Sequence, residues 1–264
     1  MWLSGGIFRT QGQSGWVEGG SFNDVWKSLG SAETQGSASV VPWLLVTSGA
    51  SWVARGRHVS LVFAGSMWIL GGERRDRSST AGGGVLNYQT EYRNDVWRSQ
   101  DGAQWLLVTQ NPSWNARSGH TAAVHEGSNQ IFLMGGRDAT RYYNDIWRSA
   151  DGKTWTMVTG SALWSARWLH ASVFFEDSLW VIGGHFCLTS SSQPCTTETA
   201  GTFYNDVYLS ADGTKWLVST SSAGRHLPAL LVLLFDFSLP QVGRLGLDIP
   251  LWSLWGQCSR TYGL

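Results

Sequence analysis

Three histidines and three arginines are spaced in a way that could do chemistry. His58, His120 and His170 each follow an arginine by three residues, at Arg55, Arg117 and Arg167. Three imidazoles could hold a transition metal, and three guanidiniums could clamp a carboxylate. Each, however, stands at the same place in its own copy of a repeating pattern, and a residue needed once per copy is set by packing and hydrogen bonding. His185, Cys187 and Cys195 share one segment, but their spacing matches no zinc pattern and supplies no fourth ligand. No metal site and no cofactor are therefore expected. A Cys187–Cys195 bond is expected in an oxidising compartment, and two thiols in a reducing one. The chain has no phosphate-binding Walker loop, no H-E-x-x-H and no G-x-S-x-G. Tyr88, Tyr92, Tyr142 and Tyr143 are present, but nothing in their surroundings marks one as activated. No catalytic residue is assigned, and the chain is read as a non-enzyme.

The pattern that positions these residues is a repeat. "NDVW" stands at Asn23–Trp26 and Asn94–Trp97, "NDIW" at Asn144–Trp147 and "NDVY" at Asn205–Tyr208, each followed after one residue by Ser. Three copies continue through an Asp-Gly pair to Trp105, Trp155 and Trp216, whereas an insertion replaces that pair before Trp43. Nine residues after Trp43, Trp105 and Trp155 comes a second Trp that opens W-x-A-R, at Trp52, Trp114 and Trp164. The histidine follows, then an apolar segment closing on Gly71-Gly72, Gly135-Gly136 or Gly183-Gly184.

Each copy reads as four short strands, A to D. A is the apolar run after the histidine, and B is the segment that ends in the double glycine. C is the "NDVW" segment, with Trp97 and Trp147 at its end, and D follows Trp105, Trp155 or Trp216. Asp-Gly between C and D predicts a tight hairpin with positive φ at both residues. The double glycine permits an abrupt turn and close backbone approach. The 32 glycines and 17 tryptophans fit many turns between short, face-packed strands.

A strand ending in Gly-Gly, a variable connection and a Trp-bearing strand together resemble the Kelch family. The match spans about residues 1 to 240, with a period of roughly 50 to 65 residues against the ~50 usual for kelch repeats. The resemblance implies an all-β, Kelch-type β-propeller of four-stranded antiparallel blades, about four of them, or an incomplete piece of a larger propeller. The S-x-D-G-x-x-W hairpins also resemble the Asp-box of sialidases, with one residue fewer between Asp and Gly. Galactose-oxidase-like copper radical oxidases and sialidases both carry related propellers, but neither catalytic set can be placed here.

The propeller is expected over 1–243, with repeats at 1–47 (partial), 52–109, 114–159, 164–220 and 223–243 (partial). Residues 244–264 form an off-pattern tail. "MWLSGG" at 1–6 matches "MWILGG" at 67–72, so the chain opens at strand B of a blade without its strand A. "GRHLPALLVLLF" at 224–235 resembles a strand A, as at "GRHVSLVF". It would either complete the first blade or begin a fifth.

Charge narrows the partner. Lys+Arg and Asp+Glu are equal at 19, so no net field draws in nucleic acid or anionic membrane. No apolar run approaches the ~20 residues of a membrane helix. No secretory signal is visible, and localisation is left open. The B–C connections Ile7–Phe22, Glu73–Arg93, Arg137–Tyr143 and His185–Tyr204 vary in length, while strand lengths are expected to change little. Length-varying loops on a rigid scaffold carry function. The resemblance puts B–C and D–A connections on one face around a central channel. Arg74, Arg75, Asp76, Arg77, Arg137, Arg141 and His185, with the polar stretch 189–202, are the candidate contacts for a protein partner. A carbohydrate ligand, in a secreted carbohydrate-binding protein or enzyme, is the alternative. Trp52, Trp114 and Trp164 are expected to pack between blades.

Overall fold

A computed structural model describes residues 1–12, 15–29, 33–35, 38–40, 42–78, 87–188 and 201–220. Among these there is no helix, and they fold as β-propeller blades. Blade 1 holds β1 (Trp2–Gly12), β2 (Gly15–Ser28) and, after the small hairpin β3 (Glu33–Gln35) and β4 (Ala38–Val40), β5 (Trp43–Thr47). Blade 2 holds β6 (Val59–Phe63), β7 (Ser66–Ser78), β8 (Asn87–Ser99) and β9 (Leu106–Thr109). Blade 3 holds β10 (Thr121–His125), β11 (Gln130–Met134), β12 (Ile146–Ser149) and β13 (Thr156–Thr159). Blade 4 holds β14 (Ala171–Phe175), β15 (Ser178–Phe186), β16 (Thr202–Ser210) and β17 (Leu217–Thr220). Blades 2 to 4 are four-stranded antiparallel sheets in order A-B-C-D, whereas blade 1, among the described residues, is the three-stranded sheet β1-β2-β5. The segments 223–243 and 244–264 lie outside the described residues. Strand A of blade 3 packs against strand A of blades 2 and 4, which puts these strands innermost.

Three apolar cores weld neighbouring blades. Val25, Ala50 and Trp52 meet Ile69 and Trp105 between blades 1 and 2. Phe63, Trp68, Leu70 and Val96 meet Ile131, Leu133, Trp147 and Trp155 between blades 2 and 3. Phe132, Met134, Ile146 and Trp164 meet Leu179, Val181 and Trp216 between blades 3 and 4. Trp52, Trp114 and Trp164 are fully buried and meet Trp105, Trp155 and Trp216 edge-on, with centroids 5.9–6.0 Å apart. They pack between repeats as expected and present no surface to a ligand.

Every letter of the strand C motif has a physical task. The Asn side chain holds the chain on its way to the next blade: Asn94 Nδ2 donates to the carbonyl of Trp114, and Asn144 Nδ2 to those of Ala162 and Trp164. The Asp receives the repeated arginine in a two-pronged ion pair, Arg55–Asp95, Arg117–Asp145 and Arg167–Asp206. The aliphatic residue (Val25, Val96, Ile146, Val207) is buried. The Trp indole donates back to the Asp at 2.7–2.8 Å in the first three blades. Each arginine also donates to the first glycine of the pair, Gly71, Gly135 or Gly183, and lies wholly out of solvent. Burial alone would raise the Asp95 carboxyl, but the Arg55 guanidinium and the Trp97 indole outweigh it and hold the pKa below the ordinary value.

Two turns differ from the sequence reading. The C–D connection is not a tight hairpin with both central residues at positive φ. Only the glycine turns over, at φ 76° in Gly102, 69° in Gly152 and 76° in Gly213, and the connection is a longer loop such as 100–105. The aspartate instead acts as a cap: Asp151 Oδ1 accepts the N–H of Lys153 and Thr154 at 2.8 Å, Ser149 Oγ accepts that of Gly152, and Trp155 Nε1 donates to the Gly152 carbonyl. Trp2 and Trp68 of the preceding blades lie over Gly102 and Gly152, where a Cβ would collide with them. Asp151→Ala is expected to cost about 1 kcal/mol, the usual loss of a side-chain cap on backbone N–H groups. The check is a thermal melt; an unchanged midpoint would contradict the capping role.

Nor does the double glycine end strand B. Ladder register slips there, between Ser4 and Gly6, Leu70 and Gly72, and Ile182 and Gly184, and the strand runs on beyond this bulge in blades 1, 2 and 4. The first glycine sits at φ 55–62° and the second at 92–128°. The histidines explain why neither carries a side chain. A Cβ on Gly71 or Gly135 would press on His120 or His170 of the next blade, and one on Gly72, Gly136 or Gly184 on the histidine of its own blade.

Candidate functional site

Past the bulge, the regions read from sequence as loops are largely paired strand. Gly72 to Ser78 pair with Arg93 to Asn87, and Gly6 to Gly12 pair with Phe22 to Gly15. Strand lengths are therefore not constant. Blades 1 and 2 raise long hairpins above the sheet, whereas blade 3 turns over directly through 137–143. These extensions carry no apolar alternation, so the sequence gives no strand signal, but backbone pairing requires none. The two hairpins meet where the N–H of Arg75 donates to Ser21 Oγ at 3.3 Å.

At the base of the hairpins the repeat stops repeating. The residue after the double glycine is Ile7, Glu73, Arg137 and His185 in the four blades. The residue after the repeated arginine is Gly56, Ser118 and Trp168, and isolated bridges pair Gly56 with Glu73, Ser118 with Arg137 and Trp168 with His185. Equivalent backbone positions thus present different side chains around the innermost end of the blades. Glu73 has no exposed surface; its carboxylate accepts from Arg57, from Arg75 Nε at 2.8 Å and from Ser118 Oγ of blade 3 at 2.7 Å. Arg137 lies over the Trp168 ring with its guanidinium carbon 3.8 Å from the centroid, and Arg57 is 5.4 Å from that ring. Trp168 Nε1 donates to His185 Nδ1 at 2.9 Å, and His185 stacks on Phe203 at 4.5 Å. One continuous network of charge and aromatic rings therefore joins blades 2, 3 and 4. The backbone pays for it locally: Arg57 and Leu169 adopt φ 51° and 53°, where the equivalent residue of blade 3 is Gly119.

The candidate contacts separate accordingly. Arg137 and His185 are buried members of the network, fixed by Trp168. Arg75 is half-buried against Glu73, so it is not the free loop cation that the sequence suggested. Arg74 is half-buried on the hairpin, paired in register with Glu91. Asp76 and Arg77 continue β7, opposite Gln89 and Tyr88. Arg141 is exposed, its guanidinium 4.8 Å from the Tyr143 centroid, while Arg117 approaches the same ring at 3.8 Å. Arg141, Tyr142, Tyr143, Asn144 and Met157 line a cleft of about 250 Å³ on blade 3, beside the short connection. Cys187 is disulfide-bonded, while Cys195 and most of the 189–202 stretch fall outside the described residues.

Sequence reasoning missed Arg57, Glu73, Ser118, Tyr142 as a partner of Trp168 and Phe186, and Trp168 itself. A signal was there: Arg57, Ser118 and Trp168 vary between a repeated arginine and a repeated histidine, and Glu73 stands just after a repeated double glycine. Burial raises the phenols of Tyr92, Tyr142 and Tyr143 above their ordinary value, against the pull of nearby arginines. No group of three potential metal ligands occurs among the described residues.

No family model and no curated protein matches the sequence. Among solved structures, the chain is similar to the structure of YjhT. The TM-score is 0.58 at 15% identity, over 84% of this chain and 68% of that one. At that identity the similarity carries the propeller architecture alone.

Proposed function

We infer that this chain is a Kelch-type propeller that binds a protein partner, without catalysis, through the face carrying the B–C hairpins and D–A turns. One observation supports the reading most strongly. The positions Glu73, Arg137 and His185, each just after a repeated double glycine, and Arg57, Ser118 and Trp168, each between a repeated arginine and histidine, vary between blades. A scaffold alone would have no use for this difference. The hairpins of blades 1 and 2 extend the same face, and the low rim of blade 3 gives access from the side past Arg141.

The repeated histidines and arginines take no part, because packing and ion pairing already employ them. The opposite end of the blades carries the Asp-capped turns, which are alike in three blades and offer nothing partner-specific.

An array bearing immobilised peptides, folded proteins and glycans tests this. Arg141→Ala is expected to weaken capture on protein spots while the melting temperature stays put, since exposed substitutions usually shift stability within ±0.5 kcal/mol. Lys153→Ala, in a capped turn at the far end, is expected to leave capture unchanged. Capture confined to glycans, or turnover of a glycan, would replace this reading with the carbohydrate one.

A further inference from the structure

An Asp-Gly peptide carries its own reactive pair. The glycine nitrogen attacks the aspartate carboxyl carbon, and a five-membered succinimide closes as the carboxyl OH and the amide hydrogen leave together as water. Water then reopens either ring carbonyl, giving aspartate or isoaspartate, and no other reagent is consumed. Isoaspartate routes the backbone through the side-chain methylene. Closure has two conditions: the carboxyl must be protonated, and its carbon must come over the glycine nitrogen. Asp101-Gly102, Asp151-Gly152 and Asp212-Gly213 are such pairs, each with its aspartate exposed on a turn.

The three turns deny both conditions in the same way. Ser99, Ser149 and Ser210 are buried, and each accepts the N–H of the glycine on its Oγ at 2.8 Å. Each hydroxyl also donates to the aspartate Oδ1, at 3.0–3.2 Å. It therefore stands between the attacking nitrogen and the carboxyl group, bonded to both. The carboxylate reaches past the glycine, where Oδ1 accepts the N–H groups of the next two residues at 2.7–2.9 Å. Those bonds favour the ionised form. The N–H groups of Gln104 and Ala103 hold Asp101 below the ordinary carboxylate value, and those of Lys215 and Thr214 do the same for Asp212. Burial would raise Asp151, but the N–H groups of Thr154 and Lys153 outweigh it. The glycine is pinned as well. Its carbonyl accepts from Trp105, Trp155 or Trp216 at 2.9–3.0 Å, and Trp2, Trp68 or Phe132 of the preceding blade lies over it.

We propose that Asp101, Asp151 and Asp212 are latent isoaspartate sites of this protein, held closed by the hydroxyls of Ser99, Ser149 and Ser210. The modification is a spontaneous backbone rearrangement, released wherever a turn loses its serine bond. Its effect reaches beyond the turn. An extra methylene before Gly152 shifts that glycine from under Trp68 and withdraws the carboxylate from Lys153 and Thr154, so isomerisation loosens the joint between blades 2 and 3.

Peptide mapping by mass spectrometry after prolonged incubation at pH 7 tests this in the full chain, with a free peptide of sequence 149–155 as the unrestrained reference. Ser149→Ala is expected to raise isoaspartate at Asp151 several-fold toward the peptide's rate, while Asp101 and Asp212 in the same molecule stay at the parent's level. An unchanged rate at Asp151 would overturn the proposal, as would parent turns that isomerise as fast as the peptide. If Ser149→Ala unfolds the chain, Asp101 rises together with Asp151, and full-length Asp151→Asn decides. That variant keeps an oxygen for Lys153, Thr154 and Ser149 but needs no protonation to close the ring, so only the geometric hold remains. Deamidation several-fold slower than in the peptide with the same change supports the serine's hold, and deamidation at the peptide's rate refutes it.

Discussion

Acidification from pH 7 to pH 5 is expected to destabilise the protein by several kcal/mol, before most carboxylates begin to take up protons. His120 and His170 lie between blades, packed on the double glycines and against Trp114 and Trp164. Burial, reinforced by Arg167, lowers His170 from 6.5 to about 3. Burial, with Arg117, His58 and His170 beside it, takes His120 well below its ordinary value. The folded state therefore holds both rings neutral, while the unfolded chain protonates them near pH ~6.5. A folded pKa below the unfolded one gives stability that is complete above the unfolded value and is lost as pH falls toward the folded value. Each ring contributes up to about 1.4 kcal/mol per pH unit in that window. Two rings approach 3 kcal/mol per unit, a large share of a typical stability of roughly 5–15 kcal/mol. Denaturant melts at pH 7, 6 and 5 check this. A midpoint that stays level down to pH 5 would mean that the rings are not held neutral.

The second large effect belongs to the arginine clamps. Arg117→Ala is expected to cost about 3–5 kcal/mol, because it strands the Asp145 carboxylate in a buried site and frees the Gly135 carbonyl. Arg117→Lys is not expected to restore it, since an ammonium cannot give the planar pair of bonds to Asp145 and also reach Gly135. Arg117→Ala with Asp145→Ala should recover part of the loss, because the buried charge is then gone. Urea melts of the three variants supply the numbers. A single variant within 1 kcal/mol of the parent, or a lysine variant as stable as the parent, would contradict the clamp.

What was legible in the sequence follows from what repeats. Asn94, Asp95, Val96 and Trp97 each meet a demand that recurs in every blade, so strands A to D, the inter-blade role of Trp52, Trp114 and Trp164, and the structural use of the arginines could be read from the spacing. The hairpin extensions could not, because Glu73 to Arg77 pair through backbone and show no apolar alternation. The Asp-Gly connection was misread because the dipeptide also favours a two-residue turn; what decides is Ser149 and Asp151 taking up four N–H groups between them. At the candidate site, Arg137 and His185 were found as residues of a variable segment. Glu73 and Trp168 were not, since their meaning comes from contacts between blades that no single copy of the repeat contains.

The most direct test of recognition by the hairpin face is amide hydrogen exchange with and without a protein captured on the array. Slowed exchange is predicted in 73–78, 87–93 and 137–143, with the capped turns 100–105, 150–155 and 211–216 unchanged. Protection concentrated in those capped turns, with the hairpins exchanging as in the free protein, would contradict the account.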